Sequence, residues 1–339
     1  MLERIALVGA GSLGTIFAAY IAKNRQIDIV DVNRAHVDAL NKYGAKITGT
    51  IEMTVPVTAL TPDEMTGEYD MIIYMTKQTF NDTALPPVIA HMKKDGVIVT
   101  CQNGVPEPEI CKYWPEEQVF GAPVAWGASF VGPGESRLTS DLSMMSFTLG
   151  PVTGKDTPVL HEIHKIFEYM CETTISMNLL GLRWCKLLTN ATMSGLGTVC
   201  GGTFGDVFDD PIGSRALVAI GKETCHACAG IGIKMEPFEE EFYFPDMFEV
   251  STEDEINALI EKWKVIFFRQ RKLVPSMEMD LAAGRKCEVD AINGVVSEAG
   301  KASGIMTPVC DQVVEIIKKI QNNEMKMNRE NFKVLNVII

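Results

Sequence analysis

Arg4-Ile5-Ala6-Leu7-Val8-Gly9-Ala10-Gly11-Ser12-Leu13-Gly14 opens the chain with an apolar run of strand type that feeds directly into a glycine-rich turn. A helical pattern follows, from Thr15 through Ala22. In such a turn each glycine has its own task. Gly9 permits the tight bend, Gly11 lets a pyrophosphate approach the backbone, and Gly14 lets helix and strand pack closely. The helix N-terminus then presents backbone N–H groups and the positive end of its dipole to phosphates. A second strand, Ile27-Asp28-Ile29-Val30-Asp31, ends on a carboxylate 22 residues after Gly9, where an adenosine ribose would lie. Strand, turn, helix and acid in this order point to dinucleotide binding through Gly9, Ala10, Gly11, Ser12, Leu13, Gly14 and Asp31. A methyltransferase also carries an acid after its second strand, but with a different glycine spacing.

Composition narrows the setting. At 339 residues and 46% hydrophobic, the chain has the length of about two domains and enough apolar material for substantial cores. A net charge of −13 argues against a nucleic-acid partner, which needs a basic footprint, and against docking on an anionic membrane. A single local lysine can still reverse the field of a site for an anionic substrate. No stretch reaches the 18 apolar residues of a membrane span, and a core strand starting at residue 5 leaves no room for a signal peptide. A cytoplasmic location is expected. The nine cysteines read as small buried hydrophobes. Neither Cys225-His226-Ala227-Cys228 nor His161-Glu162-Ile163-His164 has the spacing of a metal site, so no metal is expected.

The first half alternates strands and helices. Further buried strands are expected at 70–76 and 96–101, with helices near 34–43, 80–92 and 107–113, giving a parallel sheet covered on both faces. Residues 118–150 read as the far, partly antiparallel edge of that sheet. A helix at 156–171 and a strand at 174–177 close an α/β domain over residues 1–178. From 179 to 339 long helical patterns dominate: 181–198, 212–231, 253–271, 276–283, 287–303 and 308–321. Gly304, Thr307 and Pro308 read as a helix stop followed by an N-cap and a first turn. Glu236 to Glu255 reads as an extended, acidic and aromatic excursion with solvated acids, and the tail after Gln321 as fraying, apart from 332–339, which is apolar enough to dock. The helices after residue 253 leave a homodimer open.

A dinucleotide at the strand ends implies hydride transfer, in which the protein must fix a substrate and stabilise the oxyanion that develops. Lys186 and Asn190 lie four apart on one helix face, and Ser194 extends the stripe by a turn among apolar neighbours. Asn103, in Gln102-Asn103-Gly104, and Lys77 follow buried strands at the end where ligands bind. Ser276, after Pro275, reads equally as a helix cap, and Glu288 as part of a solvated face.

Taken together these residues resemble the ketopantoate reductase family. The resemblance covers nearly the whole chain through the opening glycines, Thr76-Lys77, Gln102-Asn103-Gly104, Trp184-Cys185-Lys186-Leu187 with Asn190, Pro275-Ser276-Met277 through Asp280-Leu281, and Glu288-Val289-Asp290-Ala291-Ile292-Asn293-Gly294. It implies a Rossmann-type N-terminal domain and an all-α C-terminal domain. It also implies reduction of a 2-oxo acid, ketopantoate to pantoate in pantothenate biosynthesis, by NADPH or NADH. In that family the match to Lys186 is the proton donor. The matches to Asn190 and Ser276 bind substrate, that of Asn103 touches both ligands, and that of Glu288 helps hold cofactor and substrate together. Where the family often has a second asparagine, this chain has Ser194. A shorter side chain there keeps open a D-2-hydroxy acid dehydrogenase acting on branched or aromatic 2-oxo acids. The family pattern favours NADP, whereas Asp31 would repel a 2′-phosphate and favours NAD; Arg34 could serve NADP if its turn swings inward. A glycine fingerprint reports binding and not chemistry, so a nucleotide sensor without turnover is the alternative from another class.

Overall fold

The computed structural model describes residues 2–238 and 242–339. The chain divides into two compact units, Met1–Leu179 and Leu180–Ile339.

The first unit runs β1 (Ile5–Val8), α1 (Ser12–Ala22), β2 (Asp28–Val30), α2 (Arg34–Tyr43), β3 (Ala45–Gly49), β4 (Met53–Val55), β5 (Thr58–Leu60), β6 (Tyr69–Tyr74), α3 (Asn81–Ile89), β7 (Met92–Thr100), α4 (Glu107–Ile110), β8 (Val119–Gly121), β9 (Ala128–Gly132), β10 (Glu135–Leu138), β11 (Ser146–Pro151), α5 (Pro158–Phe167) and β12 (Glu172–Ile175). Among the described residues eight strands form one sheet in the order β12-β11-β8-β7-β6-β1-β2-β5. From β8 to β5 every neighbouring pair is parallel. β11 then adds antiparallel to β8, and β12 parallel to β11. The chain therefore winds outward from β1 through β2 to β5, returns to the other side of β1, and winds outward again through β6, β7 and β8. The direction reverses between β1 and β6, and that switch point is where such sheets bind ligands, beyond the carboxyl ends of their strands. β1 is buried at all four positions, as its unbroken apolar run requires of a strand covered on both faces.

A second, four-stranded sheet, β4-β3-β10-β9, corrects the sequence reading. Residues 45–60 carry three strands that the periodicity did not reveal. Of the segment 118–150, β8 and β11 do join the main sheet and pair antiparallel, but β9 and β10 leave it. β10 pairs parallel with β3, setting Glu135 beside Lys46, with an ion pair of 3.0 Å between their side chains. α1 packs against β1 and also against β3, β9 and β10. This double cover is why an 11-residue helix with the sequence SLGTIFAAYIA is apolar nearly all round. Phe17 projects from it into a cluster with Phe147 and Phe167, ring centroids 5.0 and 4.8 Å away.

α6 (Leu179–Thr189) crosses the boundary, and the second unit continues with α7 (Gly195–Cys200), α8 (Phe204–Phe208), α9 (Pro211–Gly230), α10 (Phe244–Met247), α11 (Glu253–Ile266), α12 (Ser276–Ala282), α13 (Asn293–Ser303) and α14 (Pro308–Gln321). α9 is central and packs on α8, α10, α11, α13 and α14. Four expectations change here. The helix expected over 287–303 starts only at Asn293; Glu288 precedes it, ahead of a 3₁₀ turn at Val289–Ala291. The excursion at 236–255 is not an extended strap in its described part. Phe244 and Phe248 are fully buried against Trp263, with ring centroids 5.2 and 5.1 Å away, while Glu249 and Glu253 remain solvated. Residues 239–241 of that reading lie outside the described residues. The tail is held ahead of its apolar end as well: Phe332 is buried, as that apolar end allowed, but Asn331, in the part expected to fray, is buried too and its amide donates to the Val199 and Lys326 carbonyls, each at 2.9 Å. Gly304 does end α13 in the left-handed conformation (φ +73°), and Thr307 does stand at the N-cap of α14, but its side chain does not cap. The carboxylate of Glu223 on α9 does so instead, accepting the N–H groups of Val309 and Cys310 at 2.8 Å each.

Among the described residues no helix is long and apolar enough to cross a membrane, and no group of three or more His, Cys, Asp or Glu side chains could hold a metal ion. Cys225 and Cys228 are buried in α9, and desolvation pushes both thiols up, that of Cys228 to about 12, leaving them unreactive at neutral pH.

Candidate active site

Within the first unit, the glycine-rich turn sits at the switch point. The Gly9 N–H donates to the Val30 carbonyl at the end of β2, and φ at Gly9 is +97°. A Cβ there would lie 2.6 Å from the Thr76 nitrogen, so the turn presses on the chain leaving β6 and only glycine fits. A Cβ on Gly14 would lie 2.1 Å from the Gly9 carbonyl oxygen, which is the close packing of helix on turn. Around Gly11 there is nothing within 4 Å of such an atom. α1 begins there with no side-chain cap and no acid in its first turn. The open backbone at Gly11, with Ser12 and Leu13 following, is a donor-rich helix end of the kind that receives phosphate oxygens.

A buried relay that the sequence did not suggest supports this turn. The Gly134 N–H donates to Nδ1 of His36 at 2.9 Å, so the imidazole proton sits on Nε2. Nε2 then donates to the Thr15 hydroxyl at 3.1 Å, and that hydroxyl donates to the Ala10 carbonyl at 2.7 Å. Burial lowers the His36 pKa, which keeps the ring neutral and the relay in this sense. The only sequence signal was a pair of polar residues, Thr15 and His36, on otherwise apolar helix faces.

Asp31 lies one residue beyond β2 rather than within it. Its N–H extends the ladder to the Leu60 carbonyl, and its Oδ1 accepts the Asn33 N–H at 2.9 Å. Lys77 and Asn103 follow β6 and β7. The buried Gln102 ties these two strand ends together, its amide donating to the Thr76 carbonyl at 2.6 Å and to Oδ1 of Asn81 at 2.8 Å. Gln78 donates to the Asn103 carbonyl, and Gly104 (φ +75°) turns the chain. Gln102 is thus the residue that positions Lys77 and Asn103, a role that its place in the motif did not disclose.

Within the second unit, Lys186 stands on α6, and the helix widens into a π-turn over Asn190–Ser194 before continuing as α7. Its mark is the Gly195 N–H bonding to the Asn190 carbonyl, five residues back. The widening matters for the stripe. In an α-helix each four-residue step advances about 40°, so Ser194 would drift about 80° from Lys186. A π-turn, with roughly 4.4 residues per turn, takes the second step back by about 30° and returns Ser194 to the bearing of Lys186. Lys186, Asn190 and Ser194 are each half-buried, among buried Trp184, Cys185, Leu187, Leu188, Ala191 and Met193.

Side chains take up the carbonyls that the π-turn disturbs. The Thr192 hydroxyl donates to the Leu188 carbonyl at 2.8 Å, the Thr198 hydroxyl to that of Ser194 at 2.7 Å, and the buried Asn293 amide to that of Ala191 at 3.0 Å. Ser276 is the first residue of α12 and exposed; Pro275 holds the N-cap position, so Ser276 is not the cap its sequence allowed. α12 packs on α7 and on the π-turn, with the Pro275 ring over Gly197, which brings Ser276 to the same neighbourhood as the stripe. Glu288 is buried, contrary to the solvated-face alternative, and its 3₁₀ turn packs on α13 and α14.

The family model described as ketopantoate reductase PanE/ApbA matches residues 5–154, and that of its C-terminal domain matches residues 178–321. Among curated proteins, the chain is 26% identical over 317 residues to 2-dehydropantoate 2-reductase of Streptococcus pyogenes serotype M3, covering 92% of this chain and 96% of that one. It is 25% identical over 311 residues to the protein of the same name from Pyrococcus abyssi, covering 90% and 94%. Among solved structures, D-mandelate dehydrogenase with NADH and anilino(oxo)acetate superposes with a TM-score of 0.80 at 22% identity, over 94% of this chain and 99% of that one. A PanE/ApbA family ketopantoate reductase from Ralstonia eutropha superposes with a TM-score of 0.79 at 20% identity, over 95% and 99%. At these identities the two structures establish the fold.

Proposed function

The chain belongs to the ketopantoate reductase family, and from that premise we propose that it reduces a 2-oxo acid, ketopantoate before others, to the 2-hydroxy acid. The observation that carries this reading is the half-open stripe of Lys186, Asn190 and Ser194 on an otherwise buried helix, realigned by a π-turn. When bound, a reduced nicotinamide dinucleotide supplies the hydride for C2. The open turn at Gly9, Ala10, Gly11, Ser12, Leu13 and Gly14 fits its pyrophosphate and Asp31 its adenosine ribose, with Lys77, Asn103 and Glu288 as further contacts.

The remaining work falls to side chains. The Lys186 ammonium faces the oxygen on which negative charge develops, stabilises it and transfers a proton to it, giving the hydroxyl; the amine then regains a proton from water. Asn190 and Ser276, with Asn103, donate hydrogen bonds that orient the carboxylate and the oxygen. Glu288 completes the catalytic set. Ser194, shorter than asparagine, leaves extra room beside the reacting carbon, which supports the second reading: a D-2-hydroxy acid dehydrogenase for branched or aromatic 2-oxo acids.

Initial rates over a panel of 2-oxo acids with NADH and NADPH test the reading. Ketopantoate is expected to have the highest kcat/KM. A strong preference for a 2-oxo acid without the hydroxymethyl group would replace it with the second reading. Tight dinucleotide binding with no oxidation by any 2-oxo acid would replace both with a nucleotide sensor.

A further inference from the structure

A cavity of about 550 Å³ in the first unit is lined by Val32, Arg34, Thr61, Pro62, Asp63 and Pro87. It lies beside Asp31, beyond the ends of β2 and β5, where the adenosine half of a dinucleotide belongs on the reading above. The discriminating atom there is the ribose 2′ position. A hydroxyl donates to a carboxylate, whereas a 2′-phosphate needs an arginine.

Arg34, the first residue of α2, is the cation lining this cavity, and it is already engaged. Its Nη1 lies 2.8 Å from Oε1 of Glu64 and 3.9 Å from Oδ1 of Asp38, and its Nη2 donates to the Thr61 hydroxyl at 2.8 Å. Glu64 is itself held. Its Oε2 accepts the Thr61 N–H at 2.9 Å, closing the capping box of a 3₁₀ turn at Pro62–Glu64. That N–H and the guanidinium keep the Glu64 carboxyl below its usual range, so it is ionised at neutral pH. Asp31 keeps Oδ2 outside its bond to Asn33, open to a ribose hydroxyl among the described residues.

We propose that Glu64 selects the cofactor: by holding Arg34 it denies a 2′-phosphate its cation and presents a carboxylate in its place, making the chain selective for NADH over NADPH. The proposal rests on the dinucleotide reading and goes beyond it in naming Glu64, which lies outside the glycine fingerprint and after a different strand from Asp31. To serve a phosphate, Arg34 must leave both Glu64 and Thr61, and the released carboxylate then faces the dianion.

Glu64→Gln is the informative variant, because glutamine retains the capping oxygen while removing the charge. Fluorescence titration of NADH and NADPH, which needs no turnover, reads the affinities of the wild type, Glu64→Gln and the double variant Glu64→Gln/Arg34→Ala; thermal melting checks that each is folded. The wild type is expected to bind NADH at least about tenfold tighter than NADPH. Glu64→Gln is expected to raise the ratio of NADPH to NADH affinity by about tenfold, and loss of Arg34 to remove most of that gain; a tenfold step corresponds to about 1.4 kcal/mol. A wild type that binds NADPH as tightly as NADH overturns the proposal. So does a gain in Glu64→Gln that survives removal of Arg34 undiminished, since charge removal alone would then explain it. Binding of neither dinucleotide defeats the dinucleotide reading itself, and the proposal with it.

Discussion

Gly195→Ala separates local helix propensity from the tertiary requirement of the π-turn. Gly195 has ordinary right-handed helical angles (φ −58°, ψ −56°), so propensity alone predicts that alanine stabilises this position by about 1 kcal/mol. The packing opposes this. A Cβ at Gly195 would lie 2.5 Å from Oδ1 and 3.0 Å from Nδ2 of Asn293, which is fully buried and donates to the Ala191 carbonyl. The asparagine must move, and breaking its buried hydrogen bond costs about 1–3 kcal/mol. Forcing one methyl into the packed site costs a further 1–3 kcal/mol or so. Net of propensity, destabilisation of about 1–5 kcal/mol is expected, measured as the shift in urea midpoint at unchanged slope. Because the π-turn aligns Asn190 and Ser194 with Lys186, kcat is expected to fall while affinity for the dinucleotide holds. Asn293→Ala removes the obstacle, so the double variant Gly195→Ala/Asn293→Ala is expected to lose less stability than the sum of the single changes. A neutral or stabilised Gly195→Ala with full kcat would refute the claim that Asn293 holds the turn.

Two further outcomes follow from other sites. Lys186→Ala is expected to lower kcat by roughly 10²–10⁴-fold with dinucleotide affinity retained, the scale of a lost general acid; near-normal kcat in a rapid-mixing assay would remove it from that role. Burial pushes the Glu223 carboxyl up to about 7 against the pull of the Val309 and Cys310 N–H groups, so the folded state holds its proton more tightly than the unfolded chain does. Its contribution to stability is then full below the unfolded value near 4.5 and is lost as pH rises through about 7. Chemical denaturation at pH 5 and pH 8 should show that fall, on the order of 3 kcal/mol at most, and Glu223→Gln should flatten it; an equal slope in both proteins would assign the pH dependence elsewhere.

The readable parts of the chain were those whose physics is local. The β1 run, the α2 span and the Gly304 stop depend on residues within a few positions of one another. The missed parts depend on partners far away in sequence. β3 and β10 are short, with partly exposed positions, and become strands by pairing across about ninety residues. Thr307 had the right chemistry for a cap and lost the task to Glu223, a carboxylate 86 residues before the Val309 N–H that it accepts. The excursion read as extended because Trp263, which covers its Phe244 and Phe248, lies outside it. In the candidate site, Lys186, Asn190 and Ser276 were legible as residue types at motif spacing, but the tasks of Asn293, Gln102 and His36 were not, because each is set by partners on other segments.

By itself, the sequence determined that a strand meets a glycine turn and a helix at its start, that an α/β half precedes a helical half, and that the motifs are those of the ketopantoate reductase family. Steric limits on glycine and the period of apolar residues write such features into short stretches. Only the tertiary structure decided that a second sheet covers α1, that a π-turn realigns Ser194 with Lys186, and that Glu64 holds Arg34 beside the cavity next to Asp31. Each is a choice among several locally acceptable conformations, and it is made by a hydrogen bond or packing contact that exists only once distant segments have met.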